Sequence, residues 1–198
     1  MQRFSTFFLL IFLNINNFAF AQFLNEGIYL STADFNRGRI SYPKIQGKKY
    51  KLILHELVNT SKLKVIIGDS TIILKKDSIF GYQDKNNKAY RFYKNTKYLI
   101  LNPKEKLLLY STNFLGGPKN NQMVTNYFFS TDSNSPINKL TKSNLKTVFL
   151  SDTAFYELLD IYFNSDKALI EYDKYLKTYK LNKIEKLNYN SKINTQKQ

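Results

Sequence analysis

The side chains best suited to acid–base chemistry in this sequence are a single histidine, His55, and fifteen carboxylates. His55 lies in the stretch LILHELV, in phase with Ile53 and Leu57 on a predicted strand. A hydrolytic triad would need a nucleophile and an orienting carboxylate beside it, and no G-x-S-x-G stretch supplies the nucleophile. The pattern therefore favours a structural or exposed histidine over a general base.

Metal and phosphate sites need ligands at fixed spacings, and the sequence offers none of the familiar ones. Cysteine is absent, which excludes disulfides and thiolate metal sites, and there is neither a D-x-D-x-D-G nor an H-E-x-x-H stretch. The glycines of NFLGGPKNN (113–121) do not form G-x-x-x-x-G-K-[ST], so this stretch predicts a turn. We expect no cofactor and no metal, and the balance favours a protein that is not an enzyme.

The charge of the chain raises the question of an anionic partner. Thirty basic residues against fifteen acidic ones give a formal net charge of +15, which is typical of proteins that bind nucleic acid or acidic membranes. The abundance of Lys, Asn, Ile, Phe and Tyr also fits AT-rich codons, so genome composition is an alternative source of the charge.

One stretch, RGRISYPKIQGKKYK (37–51), concentrates basic residues without an acidic one. It predicts either a patch for anionic lipid headgroups or acidic glycans, or a solvated loop before a strand. The patch residues are Arg37, Arg39, Lys44, Lys48, Lys49 and Lys51.

The first residues have the pattern of a secretory signal peptide. MQRFSTFFLLIFLNINNFAFAQ combines one basic residue, a short apolar run and an A-x-A ending, as in a secretory signal peptide. The apolar run is too short for a membrane span, which needs about 20 mainly apolar residues. We expect cleavage after Ala21, a periplasmic or secreted protein, and no transmembrane span after cleavage.

The front two-thirds of the remaining chain is typical of short antiparallel strands. Runs rich in Ile and Leu alternate with Gly, Asp, Ser and Asn, and connections such as DKNNK and PKE are too short for parallel crossovers. An antiparallel β-meander is therefore predicted. Its strands are GIYL (27–30), KLILHEL (51–57), LKVII (63–67), TIILKK (71–76), SIFGYQ (78–83), AYRFY (89–93), KYLILN (97–102), KLLLYS (106–111) and MVTNYFFS (123–130).

The hydrophobic period then changes to that of helices. Asp152 is a predicted N-cap for a helix with Phe155, Leu158, Leu159 and Tyr162 on one face. Ser165 is a predicted N-cap for a second amphipathic helix, whose stripe is Leu169, Tyr172, Leu176 and Tyr179. The chain is thus expected to be α+β, with a signal peptide (1–21), a single domain (22–187) and a polar, frayed tail (188–198).

The stretch IFGYQDKNNKAYRFY (79–93) mixes aromatic and basic residues and predicts a hairpin turning at Asn86. Alternation would pair Gly81 with Arg91 on one face. Two interpretations exist: a buried sheet core, or a stacking platform for single-stranded nucleic acid. The export signal, the lack of an RNP-like run and the helices that need an apolar surface favour the core and disfavour nucleic acid. The residues predicted to share the other face are Phe80, Tyr82, Tyr90 and Phe92.

Three stretches resemble a group of uncharacterised exported proteins of Bacteroidetes-type bacteria. EGIYLSTADFNRGRIS (26–41) is similar to their opening motif, and DSIFGYQDKNNKAYRFY (77–93) to their aromatic-Gly-aromatic hairpin, with Phe80 where tryptophan is commoner. FLSDTAFYELLDIYFNSDKALIEYDKYLKTYKLN (149–182) is similar to their closing helical segment. The resemblance implies export and a small α+β domain, and it brings no activity and no catalytic residue.

Three functional hypotheses follow from the sequence. The first is a non-catalytic envelope or secreted module that binds another macromolecule of the envelope or an anionic surface. The second is a hydrolase acting on envelope glycans, which would need paired carboxylates in a pocket or a carboxylate near His55. The third is attachment to anionic lipid through residues 37–51.

Overall fold

The computed structural model describes residues 26–55, 60–115 and 122–195, without the side chains of residues 115 and 191–195. The predicted signal peptide and most of the NFLGGPKNN turn lie outside these ranges. The chain folds into antiparallel sheets and helices, which confirms the predicted α+β class. Its strands and helices are β1 (Gly27–Tyr29), α1 (Thr32–Asn36), β2 (Tyr50–Ile53), β3 (Lys62–Ile67), β4 (Ser70–Lys75), β5 (Gly81–Gln83), β6 (Ala89–Tyr93), β7 (Thr96–Ile100), β8 (Leu108–Leu115), β9 (Met123–Ser130), β10 (Asn138–Lys139), α2 (Lys142–Val148), α3 (Thr153–Tyr162), β11 (Tyr172–Asp173), β12 (Thr178–Tyr179) and α4 (Lys180–Thr195).

The main sheet has seven strands in the order β1-β5-β6-β7-β8-β9-β10, and every pair is antiparallel. Strands β5 to β10 follow one another in space as they do along the chain, as expected for a meander joined by short turns. The strand β1 adds at the edge beside β5. A separate sheet holds β2-β3-β4, and β11-β12 form a small hairpin.

One face of the seven-stranded sheet is covered by two different layers. At the β8–β9 end, Leu109 and Phe129 pack against residues of α2, α3 and α4. At the β1–β5 end, Tyr82 and Phe92 pack against Leu63 and other residues of the three-stranded sheet. Because alternate residues of a strand point to opposite faces, the neighbouring residues of these strands form a second core.

This second core lies on the opposite face, which we call the α1 face. Tyr29, Ala89, Leu108 and Tyr110 come from the strands, and Phe35 comes from α1. Helix α1 is short and begins with a capping box between Ser31 and Asp34, which satisfies amide groups at its first turn. The α1 face is therefore closed by one short helix and loop residues rather than by a full layer.

The aromatic hairpin forms a sheet core, as predicted. Gly81 pairs with Arg91 and Tyr82 with Tyr90, which is the predicted register. The rings of Tyr82 and Tyr90 stack with centroids 4.7 Å apart. Tyr82 and Phe92 are buried against the three-stranded sheet, so this aromatic face is unavailable for stacking nucleic-acid bases.

The predicted position of Phe80 was wrong. Phe80 is buried on the α1 face, stacked on Phe35 at 4.5 Å, and does not share a face with Tyr82. Strand β5 begins only at Gly81, so the alternation of the hairpin does not extend back to Phe80. A Cβ on Gly81 would lie 1.8 Å from the carbonyl oxygen of Tyr90, so only glycine allows this close strand approach.

The first C-terminal helix agrees with its prediction in its N-cap and in most of its apolar face, although Tyr162, which was predicted on that face, is 57% exposed. Asp152 is the N-cap of α3, and its Oδ1 accepts the backbone N–H of Phe155 at 3.1 Å. Phe155 and Leu159 are fully buried against the main sheet. The other carboxylate oxygen of Asp152 accepts a hydrogen bond from Nδ2 of Asn188 in α4 at 2.6 Å, which fixes the two helices to each other.

The second C-terminal helix lies later than predicted. After Ser165 the chain makes one short 3-10 helix (Asp166–Ile170), and the β11–β12 hairpin replaces the expected amphipathic helix. Asp173 Oδ1 accepts two backbone N–H groups in the hairpin turn, which competes locally with helix formation. Helix α4 begins at Lys180 and continues to Thr195, through most of the segment predicted as a frayed tail.

Candidate functional site

The basic stretch 37–51 does not form one surface. Arg39 donates from Nε to Asp34 Oδ1 at 2.6 Å, so its charge is balanced locally. Hydrogen bonds from Ser31 and Arg39 lower the pKa of Asp34, which keeps this carboxylate ionised. Arg37 lines a cleft on the α1 face, and the backbone of Lys44 is bonded to that of Glu26. Only Lys48, Lys49 and Lys51 remain together, at the start of β2.

Two of these lysines, Lys49 and Lys51, join a larger basic surface on the three-stranded sheet. The inner face of this sheet packs Leu52, Leu63, Val65, Ile72 and Leu74 into the core. Strand alternation places the intervening residues on the outer face, away from the core. We call this outer surface the lysine face. It consists of Lys51, Lys62, Lys64 and Lys75 with Ile53, Ile66, Thr71 and Ile73, and it is extended by Lys49, whose carbonyl oxygen accepts the Gly68 N–H.

The strand register fixes the arrangement of the lysine face. One row holds Lys51 and Ile66, and the next holds Ile53, Lys64 and Ile73. Thr71 completes the first row, so each of these two rows sets lysine beside isoleucine, whereas Lys62 and Lys64 follow each other on this face of β3. Ile73 is 57% exposed, so the lysine face presents an apolar side chain to solvent as well as ammonium groups.

At the end of the lysine face two like charges meet. Lys62 and Lys75 are directly opposite each other in the β3–β4 ladder, and both are exposed. Like charges in this position destabilise an antiparallel pair. The described residues in the paired rows of this outer face include no carboxylate that could compensate them. The arrangement is suited to an external anion, which would neutralise the pair.

Sequence reasoning missed this surface because its residues are dispersed along the chain. Lys62 and Lys64 alternate with Leu63 and Val65, and Lys75 follows at the end of the next strand. A search for contiguous charge runs overlooks such alternation. The available signal was the period-two pattern of Lys within a predicted strand, which marks a basic outer face over an apolar inner one.

A cleft of about 750 Å³ opens on the α1 face, on the other side of the main sheet from the lysine face. Its floor contains Tyr29, Ala89 and Leu108 of the second core. Its size falls within the usual range for small-ligand sites, roughly 300–1,000 Å³. The walls come from four loops: residues 36–38 after α1, Asn87 in the β5–β6 turn, residues 103–106 in the β7–β8 turn, and residues 132–133.

The charged side chains that line the cleft differ in whether they have a hydrogen-bond or ion-pair partner. The side chains of Arg37 and Lys104 have no hydrogen-bond or ion-pair partner among the described residues. Glu105 is ion-paired with Lys186 at 2.6 Å. Asp132 Oδ1 accepts the backbone N–H groups of residues 134 and 135, each at 2.7 Å. Although partial burial raises the pKa of Asp132, the side-chain hydrogen bond from Ser135 and these backbone hydrogen bonds together outweigh it, and the pKa is lowered.

Arg91, the buried arginine beside this region, has a structural role. Its guanidinium donates to the Tyr110 hydroxyl at 3.1 Å and to the Ser135 carbonyl at 3.0 Å. The same group lies 5.6 Å from the ring centroid of Phe80, a cation–π distance. Arg91 thereby ties the loop of residues 131–137 to the sheet and positions Asp132 at the edge of the cleft.

The remaining candidate, His55, stays outside both regions. It follows the end of β2, is half-buried, and has a left-handed backbone with φ of 50°. Residues 56–59, which include its neighbour Glu56, lie outside the described residues. Within the described part of the chain, no group of three or more His, Asp or Glu side chains is placed to hold a metal ion.

Comparison with known proteins assigns the chain to no group. No family model, curated protein or solved structure matches it. Among the helices of the described residues, none combines the length and the apolar character that a membrane crossing requires.

Proposed function

We propose that this chain is an exported, non-catalytic binding module that attaches to an anionic lipid surface through the lysine face. The observation that carries the proposal is the Lys62–Lys75 pair within a surface of five lysines, four of which lie in paired rows that contain no carboxylate among the described residues. A signal peptide over residues 1–21 would deliver such a module to the envelope. The proposal moves the attachment surface from the 37–51 stretch to the three-stranded sheet.

The isoleucines favour a bilayer over a soluble polyanion. Ile53, Ile66 and Ile73 lie between the lysines, so any surface that meets the ammonium groups also meets apolar side chains. At a membrane interface, apolar groups enter the headgroup boundary while lysine stems extend toward the lipid phosphates. An acidic polysaccharide would satisfy the lysines and leave Ile73 in water.

The expected strength is that of reversible attachment. A lysine near an anionic leaflet contributes about 1 kcal/mol at physiological ionic strength, so the five lysines supply at most roughly 5 kcal/mol, and less when salt is raised. Exposed Ile73 adds apolar burial to this electrostatic term. Binding should therefore depend steeply on the anionic lipid fraction and on ionic strength.

The test is co-sedimentation of residues 22–198 with phosphatidylcholine vesicles that contain phosphatidylglycerol. Reversal of two charges in Lys62→Glu/Lys64→Glu should weaken binding by roughly a hundredfold or more, because each reversal removes an attraction and adds a repulsion. The matched control is Lys85→Glu/Lys88→Glu, which makes the same charge change in the exposed β5–β6 turn. Binding should also weaken when salt is raised.

Two outcomes would contradict the proposal. Equal loss of binding in both double variants would show that only net charge matters and that the lysine face is not the contact. Heparin binding that is lost in Lys62→Glu/Lys64→Glu, without binding to the anionic vesicles, would identify a polymer rather than a bilayer as the partner of the lysine face.

The contacts of the carboxylates that line the cleft do not favour the glycan-hydrolase hypothesis as a second function. The two carboxylates of the cleft are engaged, Glu105 with Lys186 and Asp132 with backbone amides. A general acid needs a raised pKa, whereas the pKa of Asp132 is lowered by its hydrogen bonds despite partial burial.

A further inference from the structure

We propose that the cleft on the α1 face binds an acidic saccharide, a sugar chain that carries carboxylate groups. This inference is independent of lipid attachment, because the cleft shares no residue with the lysine face. The two regions lie on opposite sides of the seven-stranded sheet. A molecule attached to a membrane by the lysine face would therefore present the cleft away from the bilayer.

The cationic groups of the cleft call for an anionic ligand. Arg37 follows α1 and Lys104 lies in the β7–β8 turn, so two loops distant in sequence place unpaired cations on one cleft. Neither is paired within the described residues, in contrast to Arg39, which is bound to Asp34. A guanidinium recognises a carboxylate through two parallel hydrogen bonds, and an ammonium adds a point charge.

The uncharged groups call for a ligand that also carries hydroxyls. Gln83 and Asn87 line the cleft together, and Gln83 Oε1 accepts the Tyr29 hydroxyl at 2.6 Å. Asn36 contributes a third amide, whose Oδ1 accepts the Ser133 hydroxyl at 2.9 Å. Gln83 Nε2 donates to Asn87 Oδ1 at 3.4 Å, and each of the three amides still has an N–H group or a lone pair for a ligand. Pairs of sugar hydroxyls match such groups as both donors and acceptors.

Asp132 distinguishes a saccharide from a bare anion. Its carboxylate is held ionised by backbone N–H groups and lines the same cleft as Arg37. An ionised carboxylate repels a phosphate dianion but accepts hydrogen bonds from hydroxyl groups. A uronate-type sugar satisfies both ends, with its carboxylate on the cations and its hydroxyls on Asp132.

The test is titration calorimetry of residues 22–198, without lipid, against digalacturonate, a hyaluronan oligosaccharide and sialyllactose. Each probe is matched by its methyl-esterified or neutral counterpart, and inorganic phosphate is titrated separately. At least one acidic saccharide should bind about tenfold or more tightly than its neutral counterpart, because charge-assisted hydrogen bonds are lost in the latter.

Variants locate the site. Arg37→Ala and Lys104→Ala should each reduce the affinity for the acidic saccharide about tenfold or more. Lys85→Ala, an exposed lysine outside the cleft, should leave it unchanged. Both cleft residues are exposed, and the amide spectrum of each variant should match that of the parent chain.

Three results would overturn the inference: no binding of any acidic saccharide, equal binding of the neutral counterparts, or phosphate binding as tightly as the saccharides. Because vesicles are absent, failure here leaves the lipid proposal standing. Failure of the vesicle experiment likewise leaves the cleft result standing.

Discussion

The two principal sheets handle positive charge in opposite ways. In the seven-stranded sheet, Arg91 is only 6% exposed, and its guanidinium is held by a hydroxyl, a carbonyl and an aromatic ring. In the three-stranded sheet, Lys62 and Lys75 face each other across the ladder and are open to solvent. One sheet uses its charge to fix a loop, and the other presents its charge outward.

This contrast separates residues that maintain the fold from residues available to a partner. A buried charge must be satisfied within the molecule, since desolvation costs more than an imperfect pair returns. An exposed like-charge pair reduces stability slightly, and the cost falls when an anion binds. Replacing the buried charge of the seven-stranded sheet should therefore mainly reduce stability. Replacing the exposed charges of the three-stranded sheet should mainly reduce binding.

The largest difference in the free energy of unfolding is expected between alanine variants of two apolar residues on opposite faces of the three-stranded sheet. Leu63 is fully buried, and Leu63→Ala should lower the free energy of unfolding by about 2–5 kcal/mol through lost burial and cavity formation. Ile73 is 57% exposed, and Ile73→Ala should change it by less than about 0.5 kcal/mol. Urea denaturation measures both values. Similar losses in the two variants would mean that the outer face is covered in the native protein.

A smaller difference is expected between a buried and an exposed cation. Arg91→Met should lower the free energy of unfolding by about 1.5–3 kcal/mol, because the Ser135 carbonyl loses a charged donor. Lys64→Met, on the lysine face, should stay within about 0.5 kcal/mol of the parent chain. Thermal unfolding followed by circular dichroism compares them. A stable Arg91→Met variant would contradict the structural role of this arginine.

The smallest expected change in the free energy of unfolding is an increase rather than a loss. Lys62→Glu should raise the free energy of unfolding by about 0.2–1 kcal/mol, because an attractive pair with Lys75 replaces a repulsive one. The same variant should bind anionic vesicles more weakly. Stability and binding should thus move in opposite directions, and the stabilisation should shrink as salt is raised. A destabilised Lys62→Glu variant would show that the two side chains do not interact across the ladder.

Local patterns predicted much of the fold. The hairpin turn, the pairing of Tyr82 with Tyr90 and the N-cap at Asp152 follow from turn chemistry, alternation and capping, which act over a few residues. The meander follows from connections too short to cross the sheet. The prediction of a second helix directly after Ser165 was wrong. It was based on hydrophobic periodicity alone and did not include the turn at Asp173, whose carboxylate stabilises a hairpin instead.

The candidate sites were less accessible to sequence reasoning. The stretch 37–51 looked continuous, yet folding pairs Arg39 with Asp34 and places Arg37 in the cleft. The lysine face and the cleft each combine residues far apart in the chain. No local pattern predicts which strands become neighbours or which loops meet, because these depend on how the layers pack.

The chain's own order of residues was sufficient for its α+β class, its cysteine-free chemistry, its basic character and the register of the aromatic hairpin. Each depends on composition or on interactions between near neighbours. Only the tertiary structure decided which charges are neutralised, that Phe80 turns away from Tyr82, and that Lys62 and Lys75 share one outer face. The physical reason is that burial and charge pairing are set by contacts between distant segments.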